Sequence, residues 1–127
     1  NCFLMRSLIY IFIGGGVGSV FRYLIQLAIN QSVITKLPLG TFVANIIGCF
    51  LIGAFYSLSE RLNLSNEIRL LFTVGFCGGF TTFSTFSTEN LNLLRENLYG
   101  TFFLYTFLSV AVGIVSVFAG IWAVKSL

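Results

Sequence analysis

Four apolar stretches, each of about twenty residues or more, fill nearly all of this 127-residue chain, at approximately 7–29, 38–58, 68–91 and 100–123. About twenty apolar residues in helical conformation cross the roughly 30 Å hydrocarbon layer of a bilayer. Backbone groups in that layer must find partners within the protein, so the spans are predicted to be helices. A soluble alternative fails on composition: 15 phenylalanines would need a core within 14 kDa, and only 9 % of residues are charged where soluble domains carry about a quarter. The first stretch runs on to about Ala28, beyond the apolar region of a signal peptide, and is expected to be a retained span. The expected fold is an all-α integral membrane protein with four transmembrane helices in a single domain, 1–127.

Polar punctuation separates the spans. Pro38 follows the turn Asn30–Lys36 and stands at the start of the second helix, where a missing N–H is tolerated. In the second loop, SERLNLSNE (59–67), Ser65 or Asn66 is the predicted cap of the third helix. The third loop, around Leu94–Gly100, holds Arg95 and Glu96. Four spans put both termini on one side with Arg6, Arg61, Arg69 and Lys125, against Lys36, Arg95 and Arg22 on the other. Orientation follows the Lys/Arg excess in short loops. Four against three selects neither direction, which permits insertion both ways and pairing with an inverted copy. Small residues at four-residue spacing (Gly14 and Gly18; Gly40, Ala44 and Gly48; Ser109 and Gly113) make faces for close helix contact. Each face suits packing within one subunit or between two.

The residue inventory excludes several chemistries. Histidine is absent, which removes imidazole catalysis and histidine-held zinc or haem. Cys2, Cys49 and Cys77 are isolated, without CxxC spacing, and read as small apolar side chains. The net charge of +3 is dispersed, so no basic cluster exists for nucleic acid.

Residues 75–90, GFCGGFTTFSTFSTEN, depart from a plain membrane helix. Thr81, Thr82, Ser84, Thr85, Ser87 and Thr88 place six hydroxyls in eight positions, more than back-bonding to helix carbonyls absorbs. Gly75, Gly78 and Gly79 predict a glycine-rich break that frees carbonyls near mid-membrane, and unwound carbonyls of this kind coordinate cations. Phe80 and Phe83, three apart, are predicted to share a face, as are Thr82 and Phe86. A phenyl edge is positive and suits an anion.

Outside that segment, Arg22 is the most expensive residue of the first span, since a charge at the bilayer centre costs roughly 2.5–17 kcal/mol unless it snorkels, pairs or faces water. It reads either as a snorkelling terminus or as an anion-attracting vestibule residue, with Gln26 one turn further on. Asn45, with Thr41 one turn before it, supplies amide and hydroxyl donors or glues helices together. Tyr105 and Ser109, one turn apart, extend a polar track in the fourth span, and Trp122 fits an interfacial anchor. The chain has no Asp, and Glu89, expected near the end of the third span, is the only carboxylate within one. A cation path would ordinarily show carboxylates or carbonyl rings. The donors favour an anion.

Taken together, GGGVGSVFRY (14–23), GTFVANIIGCF (40–50) and GFCGGFTTFSTFSTE (75–89), followed by Tyr105 and Ser109, make a chain that resembles the small fluoride-exporting channels called Fluc or CrcB along essentially its whole length. The resemblance implies passive fluoride export across the bacterial inner membrane, not catalysis, through two pores in an antiparallel, dual-topology homodimer. It implies that Phe80, Phe83 and Asn45 line the pores, with Thr41, Thr82, Ser84, Tyr105 and Ser109 beside them and Arg22 near the vestibule. It further implies a structural Na⁺ where third helices cross, held by carbonyls of Gly75 and Gly78. Related proteins often carry a further hydroxyl where this chain has Gly113. Two other readings remain: a proton-coupled small exporter, which needs Glu89 as its titratable carboxylate, and a non-transporting membrane scaffold.

Overall fold

The computed structural model describes residues 2–32 and 38–127; Lys36 and most of the turn around it lie outside the described residues. Helix α1 spans Cys2–Ser32 and α2 spans Leu39–Leu62. The third crossing is composite: α3 (Asn66–Leu70), a π-helix (Leu71–Cys77), one α-helical turn, α4 (Gly78–Phe80), and after a break α5 (Phe83–Arg95). Helix α6 spans Tyr99–Lys125. Among the described residues four helical paths are thus long and apolar enough to cross a membrane: Cys2–Ile29, Leu39–Leu62, Asn66–Arg95 and Tyr99–Lys125. This is an all-α multi-span membrane fold.

Short polar residues set the ends. Asn63 takes the left-handed conformation (φ 50°) that ends α2, which Asn tolerates better than most side chains. Of the two residues predicted as the third helix's cap, Ser65 does the work, its hydroxyl accepting from the Ile68 amide at 3.4 Å. Arg61 donates to the carbonyls of Val124 at 2.7 Å and Leu127 at 2.6 Å, fastening the end of α2 to the end of α6. A cation there also meets the negative pole of α6.

Glycine seams hold the helices together. A Cβ at Gly18 would strike the Phe76 carbonyl and come within 3.0 Å of the Phe80 amide. One at Gly14 would strike the Leu71 carbonyl, and one at Gly79 the Gly15 carbonyl. Backbones of α1 and the third crossing therefore touch with almost no side chain between them, the arrangement that gives membrane helices their dispersion contacts. The second seam joins α2 to α6, with Gly53 against the Val117 carbonyl and Gly120 against that of Phe50. The Gly14–Gly18 and Gly48 faces thus pack within the subunit, Gly48 against Thr81.

The third helix is interrupted, but two residues beyond the last of the glycines predicted to break it. Gly78 is helical (φ −63°, ψ −39°), whereas Thr81 (φ −91°, ψ 152°) and Thr82 (φ −147°, ψ 130°) are extended. Gly75 and Gly79 serve close approach to α1 instead. At Thr81 the amide still closes its ladder bond to the Cys77 carbonyl at 2.9 Å, with the hydroxyl donating to the same carbonyl at 2.8 Å; the side chain takes over one residue on, where the Thr82 hydroxyl caps α5 by accepting from the Thr85 amide at 3.4 Å. Extended backbone with a hydroxyl on N3 is the geometry of a helix N-cap.

Candidate functional site

The break is closed from α2 by one side chain. The Thr82 amide donates to Asn45 Oδ1 at 3.1 Å, and Asn45 Nδ2 donates back to the Thr82 carbonyl at 3.5 Å. The donor amide fixes which way the Asn45 carboxamide points, and Nδ2 keeps a second hydrogen. Interhelical glue and a free donor therefore coexist in one residue. Asn45 also lines a recess of roughly 370 Å³ bounded by α2, the π-helix, the break, α5 and α6; Thr82, Phe83, Phe86 and Ser109 line it too.

Helix α6 contributes two hydroxyls in an unusual state, Ser109 in the recess wall and Tyr105 one turn before it. Tyr105 is 1 % exposed, its ring tilted between Phe42 (6.5 Å) and Phe86 (5.1 Å). Among the described residues, neither its Oη nor the buried Ser109 Oγ has a hydrogen-bond partner. A buried unsatisfied polar group costs about 1–3 kcal/mol, and such groups usually await water or an ion. Tyr105→Phe is accordingly expected to raise the thermal unfolding temperature in detergent while lowering anion flux about fivefold, the worth of one ~1 kcal/mol hydrogen bond. Unchanged flux would remove Tyr105 from the path.

Thr41, 3 % exposed, belongs to a separate chain of bonds. Its hydroxyl donates to Glu89 Oε1 and accepts from Gln26 Nε2, the latter at 3.0 Å. A hydroxyl has one hydrogen, so here Thr41 offers none to an ion, whereas Gln26 retains an N–H. Glu89 lies in α5, in the last part of the third crossing, which ends at Arg95. Arg22 is half-buried, and its Nε is buried without a partner among the described residues. Ser84 is exposed, with Oγ 3.1 Å from Thr82 Oγ1.

Phe80 and Phe83 do not share a helical face in this subunit. The extended Thr81–Thr82 pair lies between them and resets the helical phase. Phe80 is 2 % exposed and tilted on Phe76 at 5.6 Å; Phe83, 78 % exposed, stands at the recess edge beside Phe86 at 5.8 Å. The two glycines of the implied cation site also differ. With the Thr82 amide turned to Asn45, the Gly78 carbonyl loses its helical partner, and among the described residues nothing lies within 4 Å of a Cβ built on Gly78. Gly75 is buried against Ile11 and Gly14, and its carbonyl accepts from the Gly78 amide. A carbonyl-held cation fits Gly78 better than Gly75.

Sequence reasoning passed over two residues that share the recess, Cys49 and Cys77. Spacing carried the signal: Cys49 is one turn after Asn45, and Cys77 one turn before Thr81.

Residues 9–121 match the family described as "CrcB-like protein, Camphor Resistance (CrcB)". A protein of Phocaeicola vulgatus named fluoride-specific ion channel FluC is 55 % identical over 118 residues, covering 93 % of this chain and 98 % of that one. Its namesake in Bacteroides fragilis is 57 % identical over 91 % of this chain and 94 % of its own length. In Flavobacterium psychrophilum the corresponding protein is 46 % identical, over 97 % of this chain and all of its own.

Proposed function

The chain belongs to the CrcB family, in which its relatives are fluoride-specific channels, and on that premise we propose that it exports fluoride through pores formed by two inverted copies. It is a fluoride-selective channel of the bacterial inner membrane, multi-pass and not an enzyme. The observation that carries the finer reading is the pair of buried hydroxyls without partners, Tyr105 and Ser109, one turn apart on α6 and leading to the recess under Asn45. Hydroxyl and amide hydrogens replace the water that fluoride sheds in a narrow passage, and a larger halide meets the same donors at worse distance. Arg22 and Gln26 draw the anion to the mouth. An inside-negative potential drives it outward with about 2.3 kcal/mol per 100 mV.

A second copy is supported by what one subunit leaves uncovered. Phe83 stands exposed beside the break, and Gly78 presents open backbone. Phe83 then completes a pore wall with Phe80 of the opposing copy or its own. The Na⁺ of the resemblance rests where the two breaks meet, on the carbonyls of Gly78 and, less exposed, Gly75. Bound there it supplies a fixed positive charge that offsets the carbonyl dipoles.

The test is efflux from liposomes holding the purified protein. Fluoride should leave passively and chloride should not; imposed pH gradients should not drive fluoride uphill, and isotopic sodium should stay inside. Fluoride accumulated against its gradient by a pH difference would favour a coupled exporter using Glu89. For the pairing, Gly78→Val should leave helical content unchanged while shifting elution from dimer toward monomer. A variant eluting as parental dimer would place the interface elsewhere.

A further inference from the structure

We propose that Cys49 and Cys77 form a binding site for soft, two-coordinate metal cations on the wall of the recess, where a bound ion blocks the fluoride path. The two thiols come from α2 and from the π-helix and line the same recess of roughly 370 Å³. Opposite Cys49, α6 carries Gly113, whose Cβ position is 3.5 Å from Cys49 Sγ; with glycine there, the space beside the thiol stays open.

The chemistry of the lining selects the metal. Among the described residues the recess has no carboxylate and no imidazole, so cations that want oxygen or nitrogen ligands find only hydroxyls and one amide. Thiolates prefer soft ions. With two sulfur ligands the site suits an ion content with two. Charge adds a second filter. When a mercuric ion binds, both S–H bonds break, two Hg–S bonds form and two protons leave to water, with no change of oxidation state. The product is neutral, which a weakly solvated recess accepts at far lower cost than a net charge.

The blocking half of this inference rests on fluoride conduction through the recess; the binding half does not. Mercuric chloride is therefore read in two ways. In reconstituted protein it should stop fluoride efflux, with recovery on adding excess dithiol. Cys49→Ser and Cys77→Ser should each raise the half-blocking concentration about tenfold or more, and Cys2→Ser, which alters a cysteine exposed at the start of α1, should change nothing. Full block surviving in the Cys49→Ser/Cys77→Ser protein would overturn the site. Independently of flux, the Cys2→Ser protein should gain one mercury and lose two protons per chain by intact mass, leaving no thiol for maleimide. One mercury with a thiol still labelled, or two mercuries per chain, would overturn the bridging pair even if the serine variants failed to fold.

Discussion

Asn45→Asp is expected to reduce fluoride efflux from liposomes by roughly a thousandfold. The side chain keeps its acceptor for the Thr82 amide but loses the hydrogen that reaches the Thr82 carbonyl, along with the second one facing the recess. A carboxylate also sets a like charge beside the anion's path. Two unit charges 4 Å apart interact by about 4 kcal/mol at an effective dielectric near 20, and every ~1.36 kcal/mol is tenfold in rate. Asn45→Ala separates the two contributions. It adds no charge, so flux should fall less, but it strips both bonds from the break and should lower the unfolding temperature more than Asp does. Efflux is compared at equal amounts of intact reconstituted protein with a fluoride electrode. An Asp variant conducting within a few-fold of the parent would mean that the anion passes far from Asn45.

Phe83→Ile should lower flux about tenfold and leave the stability of the subunit untouched. At 78 % exposure the ring supports little within its own chain, while an aromatic edge contributes up to ~1.5 kcal/mol to a contact, close to the tenfold step in rate. Phe80→Ile should behave differently. That ring is buried against Phe76, and a change of core shape costs about 1–2 kcal/mol, so unfolding temperature should fall together with flux. Flux and melting temperature measured on both variants test the split. Parental flux from intact Phe83→Ile protein would reduce this ring to a lipid-facing or packing residue.

The sequence was most readable where one physical term dominates. Hydrophobic length alone located the four crossings, and the Ser65 cap followed from a hydroxyl ahead of an apolar run. Glycine was harder to read, because the same residue permits a break and a close approach. At Gly75 and Gly79 close approach to α1 won, and the break moved to Thr81–Thr82, where the Thr82 hydroxyl caps the helix that follows. That shift also undid the shared face of Phe80 and Phe83, since spacing rules hold only along unbroken helix. Thr41 shows another limit. Its hydroxyl looked like a donor for an ion, but the direction of its bond is set by Glu89, a residue 48 positions away. The same holds for Cys49 and Cys77: composition made them apolar filler, and only the fold brings them to one recess.

The two glycine seams have a consequence for the order of assembly. Both join crossings that are not neighbours in the chain, the first with the third and the second with the fourth. Crossings enter the bilayer one after another, so neither seam can close while only the first two are in place. The helices that arrive early stand in lipid without their backbone partners, and the subunit locks together only when synthesis is nearly finished. By then the direction of every crossing has been settled by the loops that flank it. Packing thus comes too late to reverse any crossing, so orientation is left to the loops and the seams only fix what the loops have already decided.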